Sequence, residues 1–208
     1  MAIAGLWGNK IGMSQVFEGD KAIIVTAVDT SSWLIVGFKT LAKDGYTAVK
    51  LGKVHQKYRG QAFDVAWLKN LSRYFSYVRE VHCGELPSEY VIGADINTLT
   101  TLPAGTGVDV IGTTIGRGFA GVVKRHGFSG GRSSHGGKNM LRRPGALSFM
   151  RSEGRVVKGK RMGGHHGATR CTLKGLRVVH VDPAAQLMLI SGSMPGKTGA
   201  LVFMRKCE

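Results

Sequence analysis

The 208 residues predict a mainly β chain: a small closed β-barrel, a short helix-containing insertion and a long basic, glycine-rich extension. Three observations carry this reading. Short runs rich in Val and Ile recur along the chain, broken by turn-type clusters such as Asp29-Thr30-Ser31-Ser32 and Lys43-Asp44-Gly45, which is the pattern of hairpin-connected strands. Several short strands at this spacing favour a barrel over a sandwich, because closure removes exposed edges. One interior segment, 116–170, breaks the pattern. It holds 13 of the 29 Lys and Arg residues, 14 of the 31 glycines and four of the seven histidines, against a single acid, Glu153. A segment with so few apolar side chains cannot offset its own ordering entropy.

In chain order, residues 1–20 are punctuated by Gly5, Gly8, Gly12 and Gly19, a density that suggests tight bends and close backbone approach. Runs over 22–29, 33–40 and 47–54 follow and read as an antiparallel meander. From Gln61 to about Arg73 the period changes: Phe63, Trp67, Leu68 and Leu71 fall at helical spacing, which predicts a short helix. Phe75, Tyr77 and Val81 suggest a further strand, and 108–113 is the strand that leads into the basic segment. Beyond that segment, 176–181 alternates, Asp182-Pro183 turns, 187–190 returns, and Gly196 and Gly199 shape a hairpin into 201–205. The expected organisation is a single domain with its body in 1–56, 98–115 and 171–208, an insertion over 57–97 and an extended arm over 116–170.

The formal net charge is +16 and the isoelectric point is near 10.2. Charge this concentrated calls for an acidic partner. The arm lacks the amphipathic helical pattern of a membrane-surface binder, so nucleic acid is the natural choice. Cys83, Cys171 and Cys207 are odd in number and far apart, which fits a reducing compartment. No signal peptide is indicated at the N-terminus, and the longest apolar stretch is far short of the ~20 residues of a membrane span.

Several motifs tempt and fail. Gly116-Arg117-Gly118-Phe119-Ala120-Gly121 matches G-x-G-x-x-G after a strand. A dinucleotide fold needs a following helix and an acid about 20 residues on. His126-Gly127 and Gly130-Gly131 interrupt any helix, and the later region is basic. Gly196-Lys197-Thr198 resembles the end of a Walker loop, but Ser191 stands where its first glycine belongs. His126, His135, His165, His166 and Cys171 lack the spacing of a closed zinc site. No base and orienter accompany Ser129, Ser133, Ser134, Ser148 or Ser152. Neither an enzyme nor a cofactor is expected.

The arm and both chain ends together resemble the large-subunit ribosomal protein L-three family in its bacterial and organellar form. The resemblance rests on Gly5-Leu6-Trp7-Gly8-Asn9-Lys10-Ile11-Gly12-Met13, on Asp44-Gly45-Tyr46, and most strongly on Gly116 through Arg125. Ser134-His135-Gly136, Arg143-Pro144-Gly145, Lys158-Gly159-Lys160-Arg161-Met162-Gly163-Gly164 and Pro195-Gly196 complete it. It implies a translation-protein type of barrel and a structural, non-enzymatic role in the large subunit. It further implies direct binding of large-subunit (23S-type) rRNA, early action in assembly, neighbouring ribosomal proteins, and an arm reaching toward the peptidyl transferase centre. The ribosome concerned is cytoplasmic or organellar. The rival reading is a free-standing RNA chaperone.

The candidate RNA-contacting residues are Lys10, Arg117, Lys124, Arg125, His126, Arg132, His135, Lys138, Arg142, Arg143, Arg151, Arg155, Lys158, Lys160, Arg161, His165, His166 and Arg170. Phe119, Phe128 and Phe149 are candidates for stacking on unpaired bases. One departure matters: the glutamine that many bacterial members methylate after the Pro-Gly pair is absent, and Phe149, Met150 and Arg151 occupy that region.

Overall fold

The computed structural model describes residues 5–84, 86, 90–96, 102–148 and 154–207. They form two compact units, one comprising 1–113 and 170–208, the other 114–169. The strands are β1 (Gly5–Glu18), β2 (Lys21–Asp29), β3 (Trp33–Lys39), β4 (Ala48–Val54), β5 (Phe75–His82), β6 (Gly107–Thr113), β7 (Phe119–Ala120), β8 (Gly164–His165), β9 (Arg170–Asp182), β10 (Leu187–Ser191) and β11 (Leu201–Lys206).

Six strands of the first unit form one antiparallel sheet in the order β1-β11-β6-β9-β10-β2, and β2 also pairs with β1 from Asn9↔Asp29 to Glu18↔Lys21. Alternation sets the inward positions: Thr26 and Val28 on β2, Val108 and Val110 on β6, Met188 and Ile190 on β10, Val202 and Met204 on β11 are fully buried, and all but Thr26 are apolar. Each such apolar side chain contributes about 1.5–3 kcal/mol through burial. The same core continues through Trp33, Ile35, Val49, Leu51 and Val81, which belong to a second, three-stranded sheet in the order β3-β4-β5.

That second sheet corrects the expected meander. The sequence places 33–40 and 47–54 in the barrel body, yet β3 pairs with β4 and β4 with β5. The reason is edge availability. β2 is already paired on one side with β1 and on the other with β10, so the next strand in sequence finds no free edge and leaves the sheet after the Thr30–Ser32 turn. The predicted helix between Gln61 and Arg73 is a 3-10 helix, Val65–Asn70, followed by a single α-turn, Leu71–Tyr74. Asp64 starts it by accepting the Ala66 N–H at 3.0 Å. Its Trp67 is buried against Val36, Val54 and Phe75 and stacks on Tyr74 with centroids 5.2 Å apart, so this aromatic cluster is a minor core.

Two further expectations change. The glycine-rich opening is one long strand, not a series of bends; its only irregularity is a bulge between Lys10 and Gly12. Nor is the segment between Ser191 and Leu201 a hairpin: β10 pairs with β9 and β2, and β11 with β1 and β6. It is a connection between non-neighbouring strands, and Lys10 holds it by donating from Nζ to the carbonyls of Met194 at 2.9 Å and Gly196 at 3.1 Å.

The close-approach reading holds at Gly8, where a Cβ would collide with Cγ1 of Val28 and stand 3.1 Å from the Asp29 carbonyl. Val28 is β-branched and fully buried, so it cannot swing away. Gly8→Ala is therefore expected to destabilise the protein by about 1–3 kcal/mol. Gly12→Ala, with nothing within 4 Å of its Cβ position, is the matched control and should be neutral or slightly stabilising. Urea denaturation of the two variants decides this, and equal midpoints would refute it.

On β6, Asp109 is buried. Its carboxylate accepts from the Cys207 thiol at 3.1 Å, the Gly175 N–H at 3.1 Å and Arg205 Nη2 at 3.2 Å. The thiol and amide hydrogen bonds hold its carboxyl below the ordinary carboxylate value, and Asp109 in turn pushes the Cys207 thiol up. A depressed folded value means that the stabilisation is present above the unfolded value, about pH 4, and is lost as pH falls through the folded one. Wild-type stability should thus drop below about pH 4 more steeply than that of Asp109→Asn; parallel profiles in acid denaturation would count against the cluster.

Candidate nucleic-acid interface

The unit 114–169 is built from two limbs and a distal loop. Its limbs pair through backbone groups: Thr114 N–H to the Thr169 carbonyl at 2.9 Å, Arg117 N–H to the His166 carbonyl at 2.8 Å, and His166 N–H back to the Gly118 carbonyl at 2.9 Å. β7 and β8 continue this ribbon with Phe119 opposite His165. Backbone pairing needs no apolar side chain, which is why a segment with only Ala120 and Val122 buried among its described residues still has a stem. Gly167 is essential to it. This residue has φ +75°, and any Cβ there would strike the Ile115 carbonyl.

Beyond β7 a one-turn helix, Val122–His126, ends at Gly127 in the left-handed region. The sequence suggested no helix after the glycine motif. One turn does form, and Gly127 stops it, so it is too short to serve as a phosphate-binding helix of the dinucleotide type. Arg125 Nη1 donates to the Met162 carbonyl at 2.8 Å, and His126 Nε2 lies 3.0 Å from the same oxygen. These two side chains therefore clasp the returning limb. Farther out, the Gly131 N–H is shared between the Met140 and Leu141 carbonyls at 3.2 Å, and Lys138–Met140 forms a 3-10 turn.

The candidates thus divide by role. Arg117, Lys124, Arg132, Arg142, Arg143, Arg155, Lys158 and Arg161 are exposed and enter no ion pair among the described residues. His135 and His165 are exposed too, and His135 has φ +56°. Lys160 and His166 are half-buried. Arg125 and His126 spend their donors on holding the arm together. Lys10 and Arg170 belong to the first unit: Lys10 holds the β10–β11 connection, and Arg170 is exposed at the start of β9. Arg151, with Phe149, Met150, Ser152 and Glu153, lies outside the described residues.

Phe119 is 83% exposed. Phe128 is half-buried and its ring centroid is 6.1 Å from that of His126. Around the distal loop, residues within 128–145 line a cavity of about 490 Å³, among them Arg132, His135 and Arg143. The Met162 carbonyl as the arm's clasp point was invisible in the sequence, because a backbone acceptor carries no residue signature.

Unpaired guanidinium and ammonium groups on a glycine-rich ribbon can neutralise closely spaced phosphates. Among the described residues no three His, Cys, Asp or Glu side chains gather as a metal site, and no helix is long and apolar enough to cross a membrane.

Comparison with known proteins gives the lineage. The sequence model of the family Ribosomal protein L3 matches residues 89–187. Large ribosomal subunit protein uL3 of Geotalea daltonii is 41% identical, with 97% of this chain and 95% of the relative aligned. Its namesakes in Trichodesmium erythraeum and Prochlorococcus marinus (strain MIT 9515) are each 39% identical, covering 96% and 97% of this chain and 95% and 93% of their own lengths. At this identity over nearly the whole length of both partners, the chain belongs to the ribosomal protein L3 family.

Proposed function

We propose that the chain is a structural constituent of the large ribosomal subunit that binds large-subunit rRNA directly and helps nucleate subunit assembly. It performs no catalysis. The first unit acts as an anchor, its six-stranded sheet serving as a closed barrel of the translation-protein type. The arm is the RNA-binding element, and it runs through rRNA toward the peptidyl transferase centre. Insertion 57–97 and neighbouring large-subunit proteins complete its setting, in a cytoplasmic or organellar ribosome.

The observation that carries this is the set of eight exposed arginines and lysines, without ion-pair partners among the described residues, along an arm whose stem is paired through its backbone. Phosphate contacts fix position and orientation. A pre-paired stem lowers the ordering entropy that a wholly disordered arm would lose on docking. The distal loop remains free to settle among unpaired bases.

The direct test places a photo-crosslinking amino acid at Arg142 and at Arg161 in assembled large subunits, followed by sequencing of the attached bases. Crosslinks to large-subunit rRNA at both positions are expected. Crosslinks only to protein, or none, would remove the arm from RNA and overturn the reading.

A further inference from the structure

Within the first unit, away from the arm, a groove of about 780 Å³ lies between β5 and the face made by β1, β11 and β6. Its wall combines half-buried aromatic rings with a cationic rim. Trp7 and Phe203 pack at 4.8 Å between centroids, tilted by 41°, and Tyr77 faces them from β5. The Arg79 guanidinium stands 5.9 Å from the Trp7 ring, in the range of a cation–π contact. Arg170 is exposed on the same groove and enters no ion pair among the described residues. The lining's one carboxylate, Glu80, is engaged by the Tyr46 hydroxyl at 2.7 Å. β5 is also the outer strand of its sheet, so no strand among the described residues fills the space.

We infer that this groove is a second docking site, on the body of the protein, for an unpaired RNA strand: bases lie against Trp7, Tyr77 and Phe203, and their phosphates meet Arg79 and Arg170. The choice of occupant follows from charge. An extended peptide added to the edge of β5 would have to be strongly acidic to match this rim, whereas single-stranded RNA brings a phosphate with every nucleotide. Every base also presents a π face, so aromatic rings beside arginines hold single strands without demanding a sequence. The volume is within the range of pockets that take a small organic ligand, enough for a base and its sugar. This inference rests on the reading of the chain as an rRNA binder, but it concerns a surface outside the unit 114–169.

The test uses the full-length protein and a short unstructured oligoribonucleotide carrying 5-iodouridine, irradiated and mapped by mass spectrometry. Crosslinks are expected on Trp7, Tyr77 or Phe203 as well as on the arm. Arg79→Ala should lower the groove crosslinks several-fold while leaving arm crosslinks unchanged; Arg79 is exposed, so the variant should fold. Trp7→Phe should retain most of the groove signal and Trp7→Leu should lose it. Arm crosslinks without groove crosslinks would overturn the groove and leave the arm standing. Crosslinks nowhere would overturn both. Quenching of Trp7 by an acidic peptide, without RNA crosslinks in the groove, would overturn the RNA assignment and give the site to a protein segment.

Discussion

Replacing residues 115–168 with Asn-Gly should leave the first unit folded and abolish specific binding to large-subunit RNA. The geometry permits the cut. Thr113 and Arg170 are paired neighbours at the ends of β6 and β9, and Thr114 and Thr169 extend that pairing, so a two-residue turn of the type I′ class can join them. The arm's only described buried side chains, Ala120 and Val122, leave with it, and the core of the first unit keeps all its members. If about eight of the arm's cations touch phosphate, log affinity falls with log salt at a slope of about −6 to −7, between the single-strand and duplex coefficients. Between about 50 and 200 mM salt the intact chain should therefore lose about 10⁴ in affinity, and the excised variant should show a slope near about −2. Filter binding across a salt series measures both. An excised variant that retained the intact slope would move the electrostatic footprint off the arm; one that failed to fold would show that the arm contributes to the core.

How much of this was legible beforehand depended on the kind of interaction. Strands β2, β4 and β6 are legible from their runs of branched apolar residues, because their partners bury those side chains and leave a local signature. Placing β3 and β4 was a different matter. Their exclusion from the six-stranded sheet is decided by β10, which reaches β2 through pairs such as Leu187↔Asp29, a contact that no local window contains. β1 was misread because glycines that permit the tight contact of Gly8 with Val28 are, residue by residue, the same as those that bend a chain. The arm's charge was legible at once. Its stem was not, because pairing such as Arg117 with His166 uses only main-chain groups. Lys10 shows the limit for sites: a lysine in a family-type motif read as a phosphate ligand, yet two of its donors go to carbonyls of its own unit.

Lys53→Met should destabilise the first unit by about 3–5 kcal/mol. The Lys53 ammonium is buried, with 6% of its side chain exposed. It joins Asp29 Oδ2 at 2.9 Å and Asn9 Oδ1 at 3.1 Å, tying β4 of the small sheet to β2 and β1 of the large one. Burial pushes the Asp29 carboxyl up, but hydrogen bonds from Ser31 and Lys53 outweigh it and hold the carboxyl below its ordinary value. Methionine fills the space and removes the partner, leaving a partly buried carboxylate whose remaining ion-pair partner among the described residues is Arg59 at 3.7 Å, itself 41% exposed. That residual partner places the loss toward the lower end, about 3 kcal/mol. The pH signature separates this cause from simple repacking. In the wild type the Asp29 contribution is present above about pH 4 and lost as pH falls through the depressed folded value. In Lys53→Met the Lys53 contribution is gone while burial still opposes the charge, so stability should fall less steeply than in the wild type as pH drops through about 4. Asp29→Asn in the same background keeps an acceptor for the Ser31 N–H, 2.9 Å away in the native protein, while discarding the charge, and should restore more than half of the loss at neutral pH. Urea melts of the two single variants and the double variant complete the cycle. A loss below about 1 kcal/mol for Lys53→Met, in the range of an exposed pair, or no recovery in the double variant, would show that the two sheets are held together by their apolar core alone.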